Sequence, residues 1–180
     1  ASPGVAALRV GLGSFDTHQG QPGTQQTLLK QLAEGIHAIR QACLELGRWQ
    51  DTTIVTYCEF GRRAKENQSN GTDHGTAAPL FVMGTHVKGG LYGQGPTLAG
   101  LGQWDRLPAY VDFRWVIGSV LDGWLGGGGS TILGGAFQDL GLFNGTPGTP
   151  GVAASNTVVL NGTSRLARAL AVGTDHLCAV

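Results

Sequence analysis

The chain has 180 residues, of which 12 are basic and 12 acidic, so its formal net charge is zero. This balance argues against the global electrostatic attraction by which basic proteins bind nucleic acids or anionic membranes. Hydrophobic residues make up 41%, which excludes an intrinsically disordered composition and suffices for one domain with a core. Only 13% of residues are charged and 31 are glycine, which favours a loop-rich chain that packs against partners.

The sequence pattern argues against a membrane-spanning helix, a signal peptide and a disulfide framework. No run of about 20 apolar residues occurs, so we expect no membrane-spanning helix. The first residues lack the basic and apolar stretches of a signal peptide, so we expect none here. Because the chain begins at Ala1 rather than at Met, we expect a processed or truncated start. Its three cysteines, Cys43, Cys58 and Cys178, are odd in number and lack metal-site spacing, which argues against a disulfide framework.

The first predicted elements are a strand, a polar loop and a long helix. Residues 6–12 read as a short buried strand, and residues 13–19 as the loop that leaves it. A helix is predicted over about residues 25–46, with Thr24 as its N-cap and Gly47 as its C-cap. Its apolar stripe, which we expect to pack on a sheet, consists of Leu28, Leu29, Leu32, Ile36, Ile39, Cys43 and Leu46.

Two further strands complete the predicted sheet. Residues 52–57 are β-branched and residues 78–83 are apolar, with a polar loop over 59–76 between them. Because a strand–helix–strand order favours a right-handed crossover, we predict an α/β fold with a mainly parallel sheet flanked by helices. Both polar loops would then leave strands at the edge of the sheet where ligands collect.

The second half of the chain alternates loops and one predicted helix. Residues 87–107 are glycine-rich and loop-like, and Asp112 is placed to cap a helix through Leu125, which residues 126–129 end. We expect one domain over residues 1–143 and a Pro/Gly-rich linker with a C-terminal arm over 144–180. The arm is predicted to add a strand at 157–160 and a short helix at 165–172.

Carboxylates and imidazoles cluster where the predicted strands end. Asp16 and His18 follow the first strand, Glu59 follows the second, and Asp73 and His74 come fourteen residues later between glycines. Zinc prefers histidine nitrogen and carboxylate oxygen, and manganese or magnesium takes more oxygen. The pattern therefore favours a divalent-metal site, with ordinary turn or cap residues as the alternative for each position alone.

Six short motifs carry a resemblance to a known family. They are F-D-T-H-Q (15–19), E-F-G-R (59–62), G-T-D-H-G (71–75), V-K-G-G-L-Y-G (87–93), D-F-R (112–114) and W-L-G (124–126). In this order and spacing they resemble a bacterial family of sulfatase-like proteins within the alkaline phosphatase superfamily. The resemblance spans about residues 8–143 and covers the C-terminal part of that family's usual domain.

The resemblance implies an alkaline-phosphatase-like α/β sandwich with a two-metal site for phosphate or sulfate ester hydrolysis. The implied metal ligands are Asp16, His18, Asp73 and His74, holding zinc or manganese/magnesium. Glu59 is implied as a ligand or as the residue that orients one. Arg62 is implied as a bidentate clamp on the substrate oxyanion, with a surface salt bridge as the alternative.

Some residues depart from the family pattern or repeat it. Cys58 stands where the family usually has serine, but Phe60 replaces the proline that formylglycine formation needs, so we interpret Cys58 as a buried thiol. G-T-D-H recurs at residues 173–176, and no metal is assigned there. His37 is expected to be structural, and a further ligand role for His86 is a weaker alternative.

Two functional hypotheses from different classes remain open. In the first, the chain is the C-terminal part of a metal-dependent phosphate or sulfate ester hydrolase, inactive alone because the family's nucleophile lies in a preceding half. In the second, it is a non-catalytic structural or accessory subunit that retains the fold. The expected partners are the missing half or other protein subunits and a small anionic ester, with no nucleic acid. Export to the periplasm is expected only by family analogy.

Overall fold

The computed structural model describes residues 7–144 and the backbone of two strands near the C-terminus. Those strands, β5 (Thr157–Leu160) and β6 (Thr163–Leu166), pair antiparallel. The predicted strand at 157–160 is therefore confirmed. The predicted helix at 165–172 is wrong at its first two residues, which belong to β6, and its other residues lie outside the described ones.

The longest element is helix α1, Gln21–Glu45. It begins earlier than predicted: Gly20 precedes it in the left-handed region (φ 53°) and Pro22 opens its first turn, so Thr24 is not its N-cap. Gly47 follows its end with φ 65°, as expected for a residue that closes a helix. Of the predicted stripe only Leu28 is fully buried; Leu32, Ile36, Ile39 and Cys43 are half-buried, and Leu29 and Leu46 are exposed.

The predicted parallel sheet is wrong. The strand β1 (Thr53–Val55) pairs antiparallel with β4 (Val82–Gly84), and β2 (Gly61–Arg62) pairs antiparallel with β3 (His74–Gly75). Parallel neighbours need a crossover, usually a helix, whereas the chain between β1 and β4 contains none and doubles back through β2 and β3. Residues 7–13 form no strand, and Leu8 is 60% exposed. The described residues therefore form small two-stranded sheets and three helices.

The other helices are α2 (Phe113–Gly123) and α3 (Gly129–Leu133). Asp112 caps α2 by accepting a hydrogen bond from the Arg114 amide, as predicted. Val116, Trp124 and Leu142 are buried in this part of the chain, and an isolated antiparallel bridge joins Val87 to Phe143. Phe15 and Leu28 form a core cluster, with Leu12, Cys58 and Phe60 packed against it.

Among the described residues, no helix is long and apolar enough to cross a membrane.

Candidate metal centre

Asp16 and His18 project from one irregular segment whose side chains alternate between core and surface. Phe15 is 2% exposed and Thr17 is 7% exposed. The amides of Thr17 and His18 donate to carbonyl oxygens two residues earlier, at 2.8 and 3.1 Å, which keeps the segment in tight turns. Phe15 and Thr17 are therefore buried, whereas Asp16 and His18 between and after them are exposed.

The second half of the site comes from the short β2–β3 ladder. Its register pairs Arg62 with His74, which brings His74 beside the first segment. The side chain of Arg62 is 4% exposed and ties the two halves together. Its Nη1 donates to the Thr72 carbonyl oxygen at 2.6 Å, while its Nη2 donates to the Phe15 carbonyl oxygen and lies 3.4 Å from Asp16 Oδ1. Arg62 therefore positions both ligand-bearing segments.

Asn67 fixes the loop between β2 and β3. Its Oδ1 accepts hydrogen bonds from the amides of Ser69 (2.9 Å) and Gly71 (3.1 Å). Its Nδ2 donates to the His18 carbonyl oxygen (2.9 Å) and lies 3.2 Å from Asp73 Oδ1. The side-chain amide of Asn67 thus orients the turn that follows it, the backbone at His18 and the carboxylate of Asp73. The sequence interpretation missed this residue, although an asparagine before a Ser-Asn-Gly stretch is typical of a side-chain-stabilised turn.

Two motif glycines are required by close backbone approach. A Cβ on Gly71 would lie 2.2 Å from the His18 carbonyl carbon. A Cβ on Gly61 would lie 2.0 Å from the Ala77 carbonyl oxygen. Neither distance is possible between non-bonded atoms. Gly71 therefore permits the contact between the two halves, and Gly61 permits the close approach of β2 to the chain that follows β3.

Three side chains converge at the junction of these segments: Asp16, His18 and His74. The Asp16 Oδ1 atom is 3.0 Å from His18 Nε2 and 2.7 Å from His74 Nε2, and the two Nε2 atoms are 3.2 Å apart. Ligand bonds of about 2.0–2.2 Å place neighbouring donors about 3.0–3.4 Å apart around an ion. Two of the three distances lie in this range, and the 2.7 Å between Asp16 and His74 is that of a hydrogen bond. The two-histidine, one-carboxylate set fits a divalent transition metal with open positions toward solvent.

Asp73 contacts the imidazole of His18, and Phe60 contacts that of His74. His18 Nδ1 donates to Asp73 Oδ1 at 3.3 Å, which leaves the lone pair of Nε2 for a metal. The Phe60 ring stacks on His74 with centroids 4.0 Å apart and planes 8° apart. Asp73 therefore lies outside the set of three donors and contacts one of them. The support from Phe60 was also missed, because the sequence interpretation considered this residue only as a replacement for proline.

Both aspartates are held as carboxylates. The hydrogen bond from His74 is the main cause that lowers the pKa of Asp16, and the charges of His18, His74 and Arg62 act in the same direction. The hydrogen bond from Asn67 is the main cause that lowers the pKa of Asp73, followed by that from His18 and the charge of Arg63. A deprotonated carboxylate is the form that binds a metal.

Glu59 and Cys58 are not among the three donors. Glu59 is exposed between β1 and β2 and does not join the cluster. Cys58 is half-buried, and its Sγ donates to the Phe60 carbonyl oxygen at 3.0 Å. The ligand, orienting and clamp roles predicted for Glu59 and Arg62 stay predictions.

The other histidines have different surroundings. His86 lies against the Trp124 ring with centroids 5.9 Å apart, and His37 is exposed on α1. The repeated G-T-D-H motif at 173–176 lies outside the described residues. Within residues 7–144, no second group of three metal-binding side chains comes this close together.

Comparison with known proteins adds a family to this geometry. The family described as "Protein of unknown function (DUF1501)" matches residues 1–105, which include all four predicted metal ligands. The chain belongs to this family. No curated protein and no solved structure matches the chain. The resemblance to sulfatase-like proteins and the metal roles of the four residues stay predictions.

Proposed function

We propose that this DUF1501 chain contributes a divalent-metal centre, formed by Asp16, His18 and His74, to the hydrolysis of a phosphate or sulfate ester. The observation that carries the proposal is the mutual distance of 2.7–3.2 Å among their three donor atoms. These residues come from segments more than 50 positions apart in the chain. Zinc suits this donor set better than magnesium, since two of the three donors are imidazole nitrogens.

A metal bound there would supply Lewis-acid polarisation of the ester oxygen and a more acidic bound water. The protein's own residues prepare the site for that role. Asp16 remains ionised, Asp73 holds His18 with Nε2 facing the cluster, and Arg62 keeps the two segments together. The open, exposed side of the cluster leaves room for an anionic ester, which is the substrate class we propose.

A structural or accessory role is the second candidate, and exposed apolar side chains favour it. Among the described residues, Leu91, Trp104, Phe113 and Ile132 are each at least 66% exposed. Large apolar side chains on a surface are typical of contacts with another protein segment or subunit. Such a partner is also where the proposed hydrolase would obtain a nucleophile.

Metal titration separates the two candidates. We expect the wild-type chain, stripped of metal with a chelator, to bind one zinc ion by isothermal titration calorimetry. Asp73→Asn should weaken binding by roughly 10–100-fold, as is typical for a residue that orients a ligand, and His74→Ala should weaken it more. His37→Ala is the matched control, because this exposed histidine lies on α1, and it should leave the affinity unchanged. Equal affinities in all four proteins would overturn the metal centre and leave the accessory role.

Turnover is tested on the same proteins. The zinc, manganese and magnesium forms are assayed with p-nitrophenyl phosphate and p-nitrophenyl sulfate. We expect metal binding without turnover at an enzyme-like rate. The superfamily that the sequence resembles uses a side-chain nucleophile and two metals, whereas the described residues offer one group of metal ligands. Turnover that His74→Ala abolishes would show instead that this chain is a complete enzyme.

A further inference from the structure

The loop between β2 and β3 contains an Asn-Gly pair, Asn70–Gly71. Asn70 is exposed to solvent, whereas Gly71 is buried against the backbone of His18. Asn-Gly is the asparagine pair most prone to spontaneous deamidation, because glycine has no side chain to hinder the approach of its amide nitrogen. The exposure of Asn70 also gives water access to the reacting group. This loop therefore carries a candidate modification site beside the candidate metal centre.

Deamidation of this pair proceeds in two steps, and water is the co-reactant of the second. The Gly71 amide nitrogen gives up its proton and forms a bond to the side-chain carbonyl carbon of Asn70. The side-chain nitrogen of Asn70 takes up a proton and leaves as ammonia. Water then adds to either carbonyl of the cyclic imide and breaks one of its carbon–nitrogen bonds. Ring opening yields aspartate or isoaspartate, and in isoaspartate the main chain is longer by one methylene group.

The folded chain holds both ends of the peptide group that must react. The Asn70 carbonyl oxygen accepts a hydrogen bond from the Gln21 amide at 2.7 Å. The Gly71 amide donates to Asn67 Oδ1 at 3.1 Å. An amide engaged as a donor gives up its proton less readily, and attack on the side chain needs a rotation of the peptide group that would break both hydrogen bonds. The folded loop therefore opposes the reaction at Asn70.

Asn67 connects the reacting pair to the rest of the loop. Its Oδ1 also accepts a hydrogen bond from the Ser69 amide, and its own amide donates to the Gly71 carbonyl oxygen at 2.8 Å. Its Nδ2 donates to the His18 carbonyl oxygen at 2.9 Å. Loss of the Asn67 side chain would therefore free the Gly71 amide and loosen the loop at the same time. Local opening of this kind is the step that exposes the pair to reaction.

The reaction product would change a close backbone contact. Gly71 lies so near His18 that a Cβ on it would be 2.2 Å from the His18 carbonyl carbon. An extra methylene group in the main chain at Asn70 therefore moves Gly71 from this contact or breaks the hydrogen bond from Gln21. His74 lies three residues after Gly71, so such a shift reaches the candidate metal centre.

We propose that Asn70 is a site of spontaneous deamidation, that Asn67 slows the reaction in the folded chain, and that the isoaspartate product moves the loop away from His18. The modification goes beyond the proposed hydrolysis. Only its effect on zinc binding rests on the proposed function, because the rate of deamidation involves no metal.

Peptide mapping of the aged full chain tests the proposal. After incubation at mildly alkaline pH, trypsin cleaves after Lys65 and Lys88 and releases the peptide that contains Asn70. Mass spectrometry measures deamidation at this residue, and reversed-phase chromatography separates isoaspartate from aspartate. We expect the native chain to react at least about tenfold more slowly than the chain in guanidinium chloride, because unfolding removes both hydrogen bonds of the peptide group.

Two alanine substitutions test the role of Asn67. Asn67→Ala should raise the rate of deamidation in the native chain by about three- to tenfold, since the Gly71 amide loses its acceptor. Gln68→Ala is the matched control at the exposed neighbouring position and should leave the rate unchanged.

Asn70→Gly tests the effect of the product. It removes the reactive amide and keeps the turn, since glycine readily adopts the φ of 55° that Asn70 has. The other Asn-Gly pairs of the sequence, at 144–145 and 161–162, stay unchanged in this variant. Ageing should lower the urea unfolding midpoint and weaken zinc binding in wild type, in proportion to the isoaspartate fraction at Asn70. It should change neither quantity in Asn70→Gly.

Three results would overturn the proposal. Equal deamidation rates in native and unfolded wild type would exclude protection by the fold, a comparison that stands even if Asn67→Ala does not fold. Equal rates in Asn67→Ala and Gln68→Ala, with folding verified by circular dichroism, would exclude the role of Asn67. Equal loss of stability on ageing in wild type and Asn70→Gly would exclude the effect of the product. A failure of the metal centre shows separately, because fresh wild-type chain would then bind no zinc.

Discussion

The candidate metal centre and helix α1 differ in the contacts that hold them in place. The segments around Asp16 and His74 contain only two-residue strands, yet the buried Arg62 and the Asn67 amide connect them through several hydrogen bonds. Helix α1 has 25 residues of regular structure, but only Leu28 is fully buried. Regular secondary structure and tertiary anchoring are therefore separate in this molecule, and the candidate metal centre lies where the anchoring is.

Substitution of Arg62 is expected to have the largest effect. Arg62→Gln should lower the free energy of unfolding by about 2–5 kcal/mol, because it leaves the Phe15 and Thr72 carbonyls without their donor. Urea unfolding followed by tryptophan fluorescence measures this. Arg106→Gln, at an exposed position, is the control and should change stability little. Equal unfolding midpoints for the two variants would contradict the anchoring role of Arg62.

Alanine substitutions on α1 compare a position that packs against the core with one that is only half-buried. Leu28 is 7% exposed against Phe15, so Leu28→Ala should cost about 2–3 kcal/mol. Leu32 lies one turn later and is only half-buried, so Leu32→Ala should cost about 1 kcal/mol. The same unfolding experiment measures both. A cost for Leu32→Ala as large as that for Leu28→Ala would show that the apolar stripe is covered along its whole length.

The same glycine-to-alanine change should have opposite signs in the two regions. Gly71→Ala forces a Cβ into the His18 backbone and should destabilise the chain by about 1–3 kcal/mol while weakening zinc binding. Gly35 lies inside α1, where an added Cβ would meet nothing within 4 Å beyond the backbone of the helix itself. Gly35→Ala should therefore stabilise the chain by about 0.5–1 kcal/mol. If both changes destabilise equally in urea unfolding, the close approach at Gly71 is not what sets its cost.

The sequence predicts local features better than the pairing between them. Helix positions follow from apolar spacing and from Gly47 and Asp112, since these signals lie within a few residues of the element they define. The parallel sheet was wrong because the chain between β1 and β4 contains no helical crossover and returns antiparallel through the β2–β3 pair. Apolar periodicity marks the strands and does not reveal this pairing between short strands.

For the candidate site, the four metal-binding candidates could be predicted from the sequence, whereas the contacts that hold their side chains in place could not. Asp16, His18, Asp73 and His74 were predicted together from their chemistry and their position in polar loops, and the structure brings their side chains together. Asp73 lies outside the set of three donors, and its carboxylate accepts hydrogen bonds from His18 Nδ1 and Asn67 Nδ2 instead. Stacking of Phe60 on His74 also depends on three-dimensional register, because β2 follows Phe60 directly and pairs with His74.

The smallest expected effect on stability concerns Asp112, the N-cap of α2, which belongs neither to the candidate metal centre nor to α1. The carboxylate of Asp112 accepts hydrogen bonds from the Arg114 guanidinium and from the Arg114 amide, and these lower its pKa from 3.8 to about 2. A carboxyl whose pKa is lower in the folded state stabilises it above the unfolded pKa and loses this contribution as the pH falls toward the folded value. The contribution of Asp112 should therefore disappear between about pH 4 and pH 2.

Asp112→Asn keeps an oxygen that can cap α2 but cannot ionise, so the stability difference between wild type and Asp112→Asn should shrink over this interval. Urea unfolding at successive pH values measures that difference, and the subtraction removes the parallel acid effects of Asp16 and Asp73, which both proteins share. A difference that stays constant from pH 5 to pH 2 would show that the charge of Asp112 adds nothing to the cap.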